Sequence, residues 1–187
     1  MRPSQRSPTI DSQPRDPATE PGSAHNGRSH AAGLDRLAES CRRIAVRAAG
    51  TGVTVAYEPL SPGLVQYVRT AAEATTLADA VDSAAFKIVL DTYHMHRAET
   101  DPVAAIRRCG GRLFAVQFAD STRGAIGSGD IDFGAQLREL DTIGFTGPMI
   151  LECTTLAAPG CGTVADEPAL ETALRASHAW LNSNQIC

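Results

Sequence analysis

The feature that most restricts this chain is a fourfold recurrence. VTVAYE (53–58), KIVLD (87–91), RLFAVQF (112–118) and PMILE (148–152) are short apolar runs, and each carries an oxygen-bearing side chain at or beside its carboxyl end. Runs of this length and composition, bounded by turn residues, predict buried strands. Helical patterns lie between them. Leu34, Leu37, Ala38, Cys41, Ile44, Ala45 and Ala48 recur at helical spacing until Gly50. Thr70 to Glu73 is a T-x-x-E capping box opening a helix through Leu77 and Val81. Asp101 and Pro102 read as cap and first residue of a third helix that stops at Gly110. Asp132 caps a fourth, carrying Phe133, Leu137, Leu140 and Ile143 and closed by Gly144. Pro168 opens a last helix that buries Leu170, Leu174 and Leu181 on one face.

The predicted order is αβαβαβαβα, an α/β chain whose four apolar strands form a parallel sheet covered by helices. A doubly wound sheet and a piece of a (β/α)8 barrel both satisfy this order. The strand ends discriminate between them. Ligands bind at the carboxyl edge of parallel α/β sheets, so Glu58, Asp91, Gln117 and Glu152 all belong to that edge. An open sheet fans its strand ends apart, whereas a curved wall gathers them. Convergence favours a partial (β/α)8 barrel of about four strands.

Carboxylates gathered in a low-dielectric site repel one another unless compensated. A divalent cation removes the conflict, and an all-oxygen set suits Mg²⁺ or Mn²⁺ better than zinc. Taken singly, a carboxylate at a strand end also reads as a helix cap or turn former. Gln117 is the most informative of the four, because an amide inside an apolar strand is costly without partners.

Composition narrows the remaining choices. The chain has 187 residues, 43% of them apolar, enough for one domain with a core. Its net charge of −4 gives no basic stripe for nucleic acid, and no apolar run approaches the ~18 residues of a membrane span. Five cysteines, odd in number and without a CxxC pair, argue against a disulfide framework or zinc knuckle and fit a reducing cytoplasm. Residues 1–32 are rich in Pro, Ser, Arg and Gly, poor in large apolar groups and without a secretory apolar region. They are expected to be a disordered tail ahead of a domain spanning residues 33–187.

EPL at 58–60, LDTYHMH at 90–96, VQFADSTRGAIGSGDIDF at 116–133 and GFTGPMILE at 144–152, in this order, resemble the sugar isomerase/epimerase group with the xylose-isomerase-like TIM barrel. Hydroxypyruvate isomerases and ketose 3-epimerases belong to it. The resemblance covers roughly residues 34–182 and corresponds to the second half of a fold that takes ~250 residues and eight strands. It implies that Glu58, Asp91, Gln117 and Glu152 match the metal ligands, for Mn²⁺ or Mg²⁺ with Co²⁺ as a third candidate. The glutamine at the third ligand position leans toward the hydroxypyruvate-isomerase side. His94 and Arg123 match a pair that donates hydrogen bonds to substrate oxygens. Glu58 and Glu152 are then the paired acid and base that move a proton beside a carbonyl through a cis-enediolate. The implied substrate is a small sugar or hydroxy-keto acid. Leu64 stands where the related epimerases carry a glutamate that steadies the histidine, which removes the expected partner of His94.

Two other readings stand beside this one. An apurinic-site endonuclease would need many histidines and a basic groove, and this acidic chain has five histidines. A non-catalytic half-barrel, inactive or binding a partner, follows from the missing first half. Two copies, or another chain supplying that half, would rebuild the ring. Among individual residues, His96 is expected as a solvated loop residue rather than a zinc partner of His94. The glycine-rich RGAIGSGD (123–130) is expected as turns rather than a phosphate cradle. Cys153 is expected to be a small buried apolar residue, Trp180 a packing anchor, and Arg107 and Arg108 companions of a helix dipole.

Overall fold

The structure is a computed structural model and describes residues 30–153 and 167–184. The tail expected over residues 1–32 therefore lies outside the described residues as far as residue 29. Helix α1 (His30–Ala48) leads into strand β1 (Val55–Tyr57), then α2 (Ala71–Val81) and β2 (Phe86–Asp91). Two consecutive helices follow, α3 (Thr92–Ala98) and α4 (Pro102–Cys109), then a 3-10 turn over Gly110–Arg112 and β3 (Leu113–Phe118). The chain continues with α5 (Phe133–Thr142), β4 (Met149–Leu151) and α6 (Glu167–Ser183).

The four strands form one sheet in the order β1-β2-β3-β4, every pair parallel. Alternation of strand and helix in sequence thus becomes adjacency in space. The capping chemistry works as the sequence expects. Thr70 and Glu73 close a reciprocal capping box on α2, Asp101 caps α4 ahead of Pro102, and Asp132 caps α5.

Strand periodicity sorts the side chains between two faces. Phe86, Ile88 and Leu90 of β2, with Val116 and Phe118 of β3, are buried against the helices. The opposite face carries Ala56 paired with Lys87, Val89 paired with Ala115, and Asp91 paired with Gln117, which itself pairs with Ile150. Continuing the alternation past the ends of β1 and β4 puts Glu58 and Glu152 on this second face. The register slips by one residue between Ile88↔Leu113 and Val89↔Ala115, leaving Phe114 as the extra residue of a bulge. Without that slip Gln117 would point into the helical layer, because a shift of one residue reverses the face.

Trp180 is the packing anchor expected of it. Its ring meets Phe133 edge-on at 5.8 Å, and Phe133 lies 6.1 Å from Phe118. The same indole covers Gly127, whose φ of 82° and 3.0 Å clearance for an added Cβ leave no room for a side chain.

One expectation is corrected and another is extended. The residues after Asp91 do not form a loop: TYHMHRA is helix α3, so His96 is an exposed helical residue, its Nε2 3.5 Å from Asp130 Oδ1. Arg107 does more than sit near a helix end. It donates from Nε and Nη2 to both oxygens of buried Glu139 on α5, at 2.8 and 2.7 Å. A fork of this geometry ties α4 to α5.

Candidate active site at the carboxyl edge of the sheet

Asp91 ends β2 and caps α3, its Oδ1 accepting from His94 N–H at 2.9 Å. The capping reading holds for Oδ1, which leaves the other oxygen available to a ligand role. Oδ2 is buried and has no hydrogen-bond partner. Gln117 Oε1 and Glu152 Oε2 are in the same condition. Unpartnered buried oxygens are uncommon because each carries a desolvation cost. Three of the four expected ligand positions show one.

The carboxyl groups are close enough to influence one another. Burial first, then the carboxylates of Asp91 and Glu152, raise Glu58 to a pKa of about 7 against the opposing charge of Arg123. Asp91 is raised to about 6 by burial, against hydrogen bonds from backbone N–H groups and with Glu152 adding to the rise. Negative charge gathered beside buried, unsatisfied oxygen is the chemistry of a hard divalent cation site. The residues present fit such an ion.

Donor atoms of Glu58, Asp91 and His94 also lie within 4.8 Å of one another. His94 is nevertheless differently engaged from the others. Its Nε2 is 2.9 Å from Arg123 Nη2, and its Nδ1 is 3.1 Å from Ser61 Oγ. A guanidinium only donates, so Nε2 accepts and the ring proton sits on Nδ1, donated to Ser61 Oγ. Both nitrogens are occupied, whereas Asp91, Gln117 and Glu152 keep bare oxygens. Burial and the neighbouring Arg123 and Arg97 lower His94 to about 4, which keeps the ring neutral at ordinary pH.

Arg123 joins the two sides of the cluster. Nη1 donates to Glu152 Oε1 at 3.2 Å while Nη2 donates to His94. Its guanidinium stacks 4.4 Å from the centre of the Tyr93 ring, and its backbone adopts a left-handed φ of 59°. The sequence expectation had His94 and Arg123 as two donors. Here His94 is the acceptor that aims Arg123.

Sequence reasoning missed Ser61 altogether. It lies in the EPLSPG turn three residues after Glu58 and is 2% exposed. Leu64, at the position where a partner for the histidine was sought, is 65% exposed. The signal available was the turn itself, since a serine between two prolines directly after a site carboxylate is well placed to face the site.

The glycine-rich loop between β3 and α5 is shown to be turn structure. Buried Asp120 accepts from Ser121 N–H and Gly127 N–H, Ser177 Oγ takes Ile126 N–H, and Ser121 Oγ takes Asp130 N–H. Arg123, Gly124 and Ser128 amides are likewise committed within the loop. These donors already serve internal acceptors, which leaves them no role as a phosphate cradle. Cys153 is half-buried with its Sγ 3.4 Å from Ser177 Oγ; it and the buried Cys41 and Cys109 are free thiols.

Comparison with known proteins agrees with this architecture. The chain is 31% identical over 122 residues to a ketose 3-epimerase of Arthrobacter globiformis, covering 65% of this chain and 42% of that protein. It is 30% identical over 168 residues to a 3-dehydro-D-guloside 4-epimerase of Escherichia coli, covering 89% and 58%. Among solved structures, a D-psicose 3-epimerase with D-tagatose from Clostridium cellulolyticum superposes with a TM-score of 0.78 at 26% identity, over 89% of this chain and 61% of that one. The chain thus spans about two fifths of the length of the first curated relatives, 42% and 44%. Residues 18–184 match the family described as Xylose isomerase-like TIM barrel. With that match, a four-stranded parallel sheet and a gathered carboxyl edge, this chain belongs to the xylose isomerase-like TIM barrel family.

Proposed function

We propose that this chain carries the cation-binding and proton-transfer part of a sugar epimerase or isomerase, acting on a small ketose or hydroxy-keto acid. The observation that carries the reading is the set of bare, buried oxygens on Asp91, Gln117 and Glu152 beside Glu58. These four residues would hold Mn²⁺, Mg²⁺ or Co²⁺. Such an ion, when bound, polarises a carbonyl and its neighbouring hydroxyl and offsets negative charge that develops there.

The chain's own residues do the rest. Glu58 follows β1 and Glu152 follows β4, the two outer strands, while Asp91 ends β2 and Gln117 lies near the end of β3, the inner pair. The two glutamates therefore flank whatever rests on the carboxyl edge. One removes a proton from the carbon beside the carbonyl and the other returns one on the opposite face. Arg123, aimed by His94 and stacked on Tyr93, donates to the developing oxyanion. His94, neutral, serves as the acceptor that fixes the guanidinium. The free thiols of Cys41, Cys109 and Cys153 suit a reducing compartment, which we take to be the cytoplasm.

The test combines cation and proton. Mn²⁺ should raise Tm, because a ligand selective for the folded state stabilises it. Incubation with a ketohexose in deuterated water should then yield an epimer or isomer with solvent deuterium at the reacting carbon. No shift of Tm with Mn²⁺, Mg²⁺ or Co²⁺ would refute the cation site, and a product without deuterium would refute proton transfer.

A further inference from the structure

We infer that Ser61 is the positioning residue of the site, acting on Arg123 through the tautomer of His94. The inference rests on the functional reading above for its kinetic consequence, and on geometry alone for its structural one. Ser61 Oγ is 3.1 Å from His94 Nδ1, and both residues are buried at 2% and 4% exposure. No bulk water reaches this contact to replace the hydroxyl. On the other side of the ring, Nε2 lies 2.9 Å from Arg123 Nη2.

The two contacts constrain each other. Imidazole in its neutral form carries one proton, so Nε2 can accept from Arg123 only while Nδ1 bears the hydrogen. A proton on Nδ1 in a buried place requires an acceptor. Ser61 Oγ is that acceptor. The backbone N–H of Ser61 stands 3.3 Å from the same nitrogen and offers only a donor, which favours the opposite tautomer. The hydroxyl decides the contest. With it, Nε2 is bare and holds the guanidinium that also reaches Glu152 Oε1. Without it, the backbone N–H captures Nδ1, the proton moves to Nε2, and two donors confront each other where Arg123 was held.

The experiment reads the tautomer directly, independent of turnover. Long-range proton–nitrogen correlation spectra of the full chain, with ¹⁵N-labelled histidine and assignment by His94→Gln, distinguish a protonated ring nitrogen from a bare one. The wild type should show His94 with the proton on Nδ1. Ser61→Ala should move it to Nε2, and Ser61→Thr, which keeps the hydroxyl, should restore Nδ1. For metal-ligating histidines, loss of the outer hydrogen-bond partner costs about 10–100-fold in affinity or activity, and a histidine that aims a guanidinium is taken on the same scale. Ser61→Ala should therefore lower kcat on a ketohexose by about that factor, with KM little changed and Ser61→Thr recovering most of it. A wild-type proton on Nε2, or an Nδ1 proton unchanged in Ser61→Ala, would overturn the inference. If the wild type turns over no ketose, the functional reading fails while the spectra still decide the role of Ser61.

Discussion

Asp91 commits one oxygen to a helix cap and leaves the other unpartnered, and the difference explains why single residues of this site could be singled out in the sequence but not fully understood there. Oδ1 caps α3 and Oδ2 stays bare, so the capping reading alone accounts for only one of them. Glu58, Asp91, Gln117 and Glu152 were legible because each ends a strand. Ser61 was not, because its importance depends on a histidine 33 residues away. The raised carboxyl groups make a pH prediction. Glu58 and Asp91, with folded pKa values of about 7 and 6 against ordinary values of 4.5 and 3.8, bind protons more readily folded than unfolded. Their contribution is full at low pH and lost as pH rises through those values. His94, lowered to about 4 from 6.5, works in the opposite sense, its contribution lost as pH falls. Two carboxyls against one imidazole leave a net loss of stability as pH rises from the ordinary carboxyl range toward about 7. Metal-free protein should show Tm falling over that interval, and Mn²⁺ should reverse the trend, giving its largest increase at the upper end. Glu152→Gln should reduce turnover by about 10²–10⁴-fold while circular dichroism shows the fold intact.

Among the elements, those bounded by local chemistry were the readable ones. Capping boxes, Asp-Pro starts and glycine stops act over three or four residues, so α2, α4 and α5 could be placed from their own sequence. Helix α3 could not, because TYHMHRA lacks a strong apolar period and owes its start to the Asp91 cap. Equally hidden were ties between distant elements, such as Arg107 to Glu139 and Thr92 to Ala119. The last of these joins the start of α3 to the end of β3. Thr92 Oγ1 donates to Ala119 C=O at 2.7 Å and accepts from Ala119 N–H at 2.9 Å, fully buried. Thr92→Val keeps the shape and deprives both groups of their partner, at about 1–3 kcal/mol for each group left unsatisfied. Thermal unfolding should show a drop in Tm of several degrees. A substitution that leaves Tm unchanged would mean that Ala119 finds other partners.

For the molecule as a whole, alternation of strand and helix was enough to read the parallel sheet, while the polar residues at the strand ends were needed to choose a curved wall over a doubly wound one. The neighbours of the outer strands are another matter, since among the described residues β1 and β4 each pair on one side only. Open strand edges seek partners, and Met149 and Ile150 on β4 are substantially exposed. Sedimentation at micromolar concentration should accordingly reveal a species heavier than the monomer, and Ile150→Lys should shift the population back toward one chain. A monomer at every concentration would remove self-association as the answer to those edges. The position of the two flanking glutamates gives this a thermodynamic corollary. Glu58 and Glu152 ride on the strands whose outer sides are unpaired, so the gap between them is set by how tightly the sheet is curled. Anything that clasps those outer sides would narrow the gap, and an ion held by both glutamates, as proposed, would favour the same curled sheet. Linkage makes the two effects equal and reciprocal: ion affinity should strengthen with protein concentration, by the same factor by which the ion promotes assembly.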